Sequence, residues 1–138
     1  MKQLEYLNCI NDTDRSELQK MLEAKGFAII SFEGNDVKNA TDLMNQIGLQ
    51  LGCQKGMNPK GWDSLRDTLF EVMTTSKKGN VALIWENSDH MLSGELQDFL
   101  KACSTLRDVA IATRRTEKAN SFFFILGKQP SYRRLSIC

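Results

Sequence analysis

Two short, almost uninterrupted apolar runs limit what this chain can become. Phe27–Phe32 and Val81–Trp85 are flanked by Gly26, Gly34 and Asn35 in one case and by Asn80 and Asn87 in the other, and both read as buried strands. Between them, apolar residues recur at helical spacing. Leu43, Met44, Ile47 and Leu51 make one stripe, and Trp62, Leu65, Leu69 and Val72 make another. Strands separated by helices imply right-handed crossovers and a parallel sheet.

The rest of the chain extends this pattern. Asp14 or Ser16 caps a helix that carries Leu18, Met21 and Leu22 and stops at Gly26. Before it, Leu4, Tyr6, Leu7 and Ile10 are scattered through a polar start. Asn39 or Thr41 opens the second helix, and residues 53–60 form a loop. Glu86–Ser93 is polar and loop-like. Ser93 leads a helix whose apolar stripe is Leu96, Phe99, Leu100 and Cys103. Val109–Ala112 reads as a third short strand and Ser121–Gly127 as a fourth. So short a link between them demands an antiparallel hairpin. The polar tail from Lys128 is expected to be loosely held. The expected fold is therefore α/β: one domain over residues 1–138, with three parallel strands and a C-terminal antiparallel strand against about four helices.

Composition narrows the function classes. The chain has 138 residues, enough for a core without disulfides or metal. A net charge of +1 argues against general nucleic-acid binding, which needs a strongly basic face. Cys9, Cys53, Cys103 and Cys138 show no metal-ligand spacing, so neither metal nor cofactor is expected. Reduced thiols in a cytoplasmic protein are the expectation. The start lacks a signal-peptide run and no stretch is long enough to span a membrane, so no membrane partner is expected.

The most informative stretch is Asn58–Val72. It begins with turn chemistry, Asn58-Pro59 and Lys60-Gly61, and becomes a helix. Asp63, Asp67 and Glu71 lie four apart and share a face distinct from the apolar one. Such a row is commonly a solvated helix face, and Arg66 can pair with Asp63 three residues away. His90 is the only histidine and has no nucleophile motif around it. A small hydrolase using Asp63, Asp67 and His90 is therefore a remote rival. The basic pairs Lys77-Lys78, Arg114-Arg115 and Arg133-Arg134 fall in expected turns or the tail. Phe122, Phe123 and Phe124 read as sheet packing on an outer strand, one face of which could remain open to a partner.

Gly61-Trp-Asp-Ser-Leu-Arg-Asp-Thr-Leu69 resembles the Asn-Trp-Asp-Ala-Leu-x-Asp-x-Leu motif of the barstar family, intracellular inhibitors of secreted ribonucleases such as barnase. Phe32–Leu43 is similar to the family's first strand, turn glycine and first helix start, and Val81–Trp85 to its second strand. Leu96–Ala102 and Asp108–Ile111 resemble its last helix and third parallel strand. The resemblance covers about residues 27–113 in order, leaving the helix 14–26 and the strand 121–127 as additions.

The resemblance implies a mechanism. The loop and helix after the first helix enter a nuclease's cleft, where carboxylates replace substrate phosphates against Arg, Lys and His. It implies Asp67 as the central anchor, Asp63 as the acid one turn earlier, and Trp62 as an apolar contact. Met57, Asn58, Lys60 and Gly61 fall in the contacting loop, and Arg66 and Glu71 flank the acids.

Departures qualify that picture. The family's loop tyrosines are missing, Arg66 stands where barstar has an aromatic, and Lys101 where it has a further acidic contact. The chain is also nearly neutral, which weakens long-range steering to a basic nuclease. The expected partner is thus a nuclease toxin other than barnase, bound by a bacterial, cytoplasmic immunity protein with a monomer favoured. A non-catalytic interaction module with a non-nuclease partner, using the edge strand Ser121–Gly127, is the alternative.

Overall fold

The computed structural model describes residues 5–52 and 58–128. The elements, in order, are β1 (Leu7–Asn11), a 3-10 turn (Asp12–Asp14), α1 (Arg15–Ala24), β2 (Ala28–Glu33), α2 (Ala40–Gln50) and α3 (Trp62–Thr75). They continue with β3 (Asn80–Glu86), α4 (Asp89–Gly94), α5 (Leu96–Arg115) and β4 (Asn120–Gly127). The four strands form one sheet in the order β1-β4-β3-β2, and every pairing is parallel.

The α/β class and the strands at Phe27–Phe32 and Val81–Trp85 hold, but several expectations do not. Val109–Ala112 is no strand; it lies inside α5. Its buried positions Val109, Ala110 and Thr113 continue the helical series Phe99, Ala102, Cys103 and Leu106. A four-residue apolar run fits either state by pattern, and the stripe before it decides for helix. With 20 residues, α5 is about 30 Å long and carries the chain the full height of the sheet. β4 therefore enters beside β3 in the same direction, and the expected antiparallel hairpin is replaced by a parallel pairing. The third correction is β1, which pairs Leu7–Asn11 with Phe123–Gly127 in a segment whose scattered apolar residues predict no strand. The segment read as loop after β3 also holds a short helix, α4.

Helices cover both faces. The larger core joins α2, α3, α4 and α5 to the sheet through Leu43, Ile47, Leu65, Leu69, Met73, Phe99, Leu106 and the strand residues Leu83, Trp85, Phe123 and Ile125. The smaller core lies under α1, where Leu18 and Leu22 meet Ala82, Ile84, Phe124 and Leu126. Alternate residues of β3 and β4 thus point into different cores, as a strand period of two requires. β4 is interior, so Phe123 and Phe124 are buried and Phe122 packs against Phe27 at 5.6 Å.

A few polar contacts lock the layers. Arg15 of α1 pairs with Glu86 of β3 at 3.2 Å. Ser88 donates its hydroxyl to the carbonyl of Leu126 at 2.9 Å, tying the end of β3 to β4. The main chain of Gly34 passes so close to Trp85 and Glu86 that a Cβ there would collide with both. Cys9 is disulfide-bonded rather than a reduced thiol. Cys103 is free and buried, and Cys53 and Cys138 lie outside the described residues.

Candidate functional site

α3 splits cleanly between packing and display. Leu65, Leu69 and Met73 are fully buried at i, i+4 and i+8, which fixes how the helix rolls on the sheet. Asp63, Asp67 and Glu71 fall on an exposed side, as does Arg66. Arg66 donates from Nη2 to Asp63 Oδ1 at 3.2 Å, the local pair that the spacing predicts. The Asp63 side chain is still 90% exposed, so water screens that pair strongly. The row therefore presents two acids outside any ion pair formed among the described residues, Asp67 and Glu71, beside one partly neutralised acid.

The helix start is held from below. Trp62 is half-buried and packs against the larger core. Its backbone neighbour Gly61 is extended, and the first helical bond runs from the Leu65 N–H to the Gly61 carbonyl at 2.9 Å. The turn before it rests on α2. Pro59 is buried, and the Asn58 amide sits so tightly over Gly48 that a Cβ at Gly48 would overlap it. Gly48 is thus the seat on which the Asn58–Gly61 turn is set. α2 is itself fixed at its start, where Asn39 caps the Asp42 N–H at 2.9 Å and Asp98 of α5 accepts from the Ala40 N–H at 2.9 Å.

Placement of the sequence-derived candidates follows from this frame. Asp63, Arg66, Asp67 and Glu71 share the outer side of α3, with Trp62 at its root. Lys60 is exposed on the turn and Gly61 is partly exposed. Asn58 turns its side chain inward onto α2. Met57 lies outside the described residues. His90 is on α4, an element separate from the acids, and is exposed. Arg114-Arg115 close the last turn of α5 rather than a loop, where Arg114 donates to the Tyr6 hydroxyl at 2.6 Å. Lys77-Lys78 are exposed before β3, and Arg133-Arg134 lie outside the described residues.

The ground beside Trp62 has no counterpart in the sequence reading. This ring separates two grooves. One, of about 540 Å³, is lined by Ala40, Met44 and Asn45 of α2 and by residues 58–61. The other, of about 460 Å³, is lined by Gln97, Asp98, Leu100, Lys101 and Ser104 of α5. Spacing alone puts Leu96 and Leu100 in the buried stripe of that helix. They are instead 44% and 42% exposed, while Phe99 and Cys103 turn inward. A four-residue interval between two leucines outside the Phe99–Ala102–Leu106 series was the available signal.

A family model described as "Barstar (barnase inhibitor)" matches residues 27–126, most of the chain. The chain belongs to the barstar family. The matched range runs from just before β2 to Leu126, one residue before the end of β4, and so includes α3, its preceding turn and nearly all of the last strand. No curated protein sequence matches the chain. Among the described residues, no group of His, Cys, Asp and Glu is arranged to hold a metal ion, and no helix is long and apolar enough to cross a membrane.

Proposed function

We propose that this barstar-family chain is an immunity protein, an inhibitor of a ribonuclease or nuclease toxin within the cytoplasm of a bacterium. The observation that carries the reading is the division of α3. One stripe is locked in the core, and the opposite side offers Asp67, Asp63 and Glu71 on a rigid rod rooted by Trp62. A nuclease cleft holds cations to bind phosphates. Carboxylates fixed in advance on a helix meet those cations with short, charge-assisted bonds and little ordering cost.

In this reading Asp67 is the central anchor and Asp63 and Trp62 lie beside it. Gly61, Lys60 and Met57 belong to the contacting loop, and Glu71 is a rim contact. Arg66 restrains Asp63 until the complex forms, and Asn58 supports the loop from beneath. The inhibitor is a plug, without chemistry of its own. The alternative use of Ser121–Gly127 as an open edge loses its basis, because β4 is paired on both sides.

The test is titration of the chain against any ribonuclease found encoded beside its gene, and against barnase. Asp67→Ala is expected to weaken binding by at least roughly 3 kcal/mol, about two powers of ten. That size is general to interface hot spots, among which barstar's own aspartate is the extreme case. An Asp67→Ala affinity equal to wild type removes Asp67 from the site. Barnase itself should be inhibited weakly, and nanomolar inhibition by the wild-type chain would contradict the different-partner reading.

A further inference from the structure

We propose that the end of the sheet at which β3 and β4 begin is a docking surface for single-stranded RNA, whose phosphodiester backbone is held by Lys77, Lys78, Arg114, Arg115 and Lys118. The inference does not rest on the inhibitor reading of α3, and it gives a use to basic pairs that the reading leaves aside.

In a parallel sheet every strand starts at the same end, so the links that feed neighbouring strands lie side by side. Lys77 and Lys78 stand in the link from α3 to β3. Arg114 and Arg115 close α5, and Lys118 follows them in the link to β4. The two links are joined to each other. Asn80 and Asn120 are partners in register, and the Asn120 N–H donates to the Gly79 carbonyl at 2.8 Å. The Asn120 side-chain amide also donates to Asn80 Oδ1 at 3.4 Å. Lys78 adjoins Gly79, and Lys118 stands two residues before Asn120, so this contact sets both cations on one surface. Each link is braced from within as well. The Lys78 N–H donates to the Ser76 hydroxyl at 3.3 Å and the Lys118 N–H to the Thr116 hydroxyl at 3.2 Å.

All five cations are exposed, and none takes part in either ion pair formed among the described residues. Arg114 donates to the neutral Tyr6 hydroxyl and so keeps its charge. Glu117 is the one acid in the two links, and Glu71 sits one turn back along α3. The dipoles of α3 and α5 supply only about half a negative charge each at this end, less than the cations carry. The net charge of +1 conceals the surface because acids gather at the opposite end. Asp12 and Asp14 follow β1, Glu33 and Asp36 stand at and beyond the end of β2, and Glu86 closes β3. A row of phosphates fits the basic end, since Arg and Lys bind phosphate oxygens with charge-assisted bonds. Neither link exposes an apolar side chain, so a membrane would find no anchor there. Neither holds an aromatic ring on which a base would stack, so the backbone is recognised and not the sequence. The Asn80 and Asn120 amides at the seam are placed to exchange hydrogen bonds with ribose hydroxyls, which favours RNA over DNA.

The probe is a fluorescently labelled oligouridylate, titrated with the full chain at low and moderate salt and followed by anisotropy. Wild type is expected to bind in low salt and to weaken as salt rises, with a log–log slope of about −0.7 per phosphate contact. The double variant Lys77→Glu/Lys78→Glu should weaken binding by about tenfold or more, and Arg115→Glu by a smaller factor. Lys38→Glu serves as the control. It makes the same change in net charge as Arg115→Glu, but on an exposed residue between β2 and α2 at the acidic end, and should stay within about twofold of wild type. Thermal unfolding checks that each variant folds. No binding by wild type in low salt overturns the proposal. So does a loss in Lys38→Glu equal to that in Arg115→Glu, because the probe would then report net charge and not this surface. Equal affinity for the matching oligodeoxyuridylate defeats the assignment to RNA. Tighter binding to phosphatidylglycerol vesicles than to the oligouridylate would give the face to a membrane and also overturn it.

Discussion

α3 and α5 lie side by side on one face of the sheet and contribute to the same core, yet their outer sides differ. The inner stripe of α3 is Leu65, Leu69 and Met73, and that of α5 is Phe99, Ala102, Leu106, Val109 and Ala110. Outside, α3 shows acids around one arginine, whereas α5 shows Leu96, Leu100, Lys101 and the mixed pair Arg107 and Asp108. Similar packing demands produced similar inner faces, because burial constrains size and polarity. The outer faces are free of that constraint, so their difference is where partner choice can be written. Stability and recognition should then respond to different residues of the same two helices.

Phe99→Ala gives the largest expected effect. Its ring is fully buried and packs 5.6 Å from that of Trp85. Removal should cost about 3–5 kcal/mol of stability, seen as a lower urea midpoint. Asp67→Ala is the counterpart on the other helix. It should leave stability within about 0.5 kcal/mol while weakening the binding as described above. A shared loss of both properties in Asp67→Ala would erase the contrast between the inner and outer sides.

A smaller effect separates the inner face of α5 by pH. Burial pushes the Cys103 thiol from 9.0 up to about 12, opposed in part by a backbone hydrogen bond. The folded chain keeps this proton where the unfolded thiol has lost it. Its contribution is therefore complete below about pH 9 and declines as pH rises toward 12. Urea midpoints across the alkaline range should fall more steeply for wild type than for Cys103→Ala. Equal slopes would show that the thiol is not held in its neutral form.

The smallest effect concerns where α5 ends. Glu117 follows the last turn with φ of 60°, a left-handed position where a side chain is strained. Glu117→Gly should raise stability by about 0.5–1 kcal/mol, read from thermal unfolding. A decrease would mean that the glutamate side chain supports the turn.

Much of this was legible from residue order. The apolar runs gave β2 and β3, and three- and four-residue spacing gave α2, α3 and the acidic row. β1 was hidden because all five of its residues are only partly buried, so no alternation stands out. Val109–Ala112 is ambiguous because four apolar residues satisfy a strand and a buried helix equally, and the direction of β4 depends on which of the two forms. The groove beyond Trp62 was out of reach for another reason. Trp62 and Lys101 belong to different helices, and no local pattern reports which helices will touch.

The sequence by itself determined the inner and outer faces of α3, since a period of 3.6 residues assigns Leu65, Leu69, Asp63 and Asp67 without reference to the rest of the fold. It also determined the parallel character of the β2–β3 pair, because a helical connection of that length returns the chain to the same end of the sheet. Only the tertiary structure decided that α5 runs unbroken and brings β4 in between β1 and β3. Only it decided that Lys101 faces the groove beside the acidic helix. Both follow from packing in the shared core, where side chains distant in sequence must fit one another before any surface arrangement is fixed.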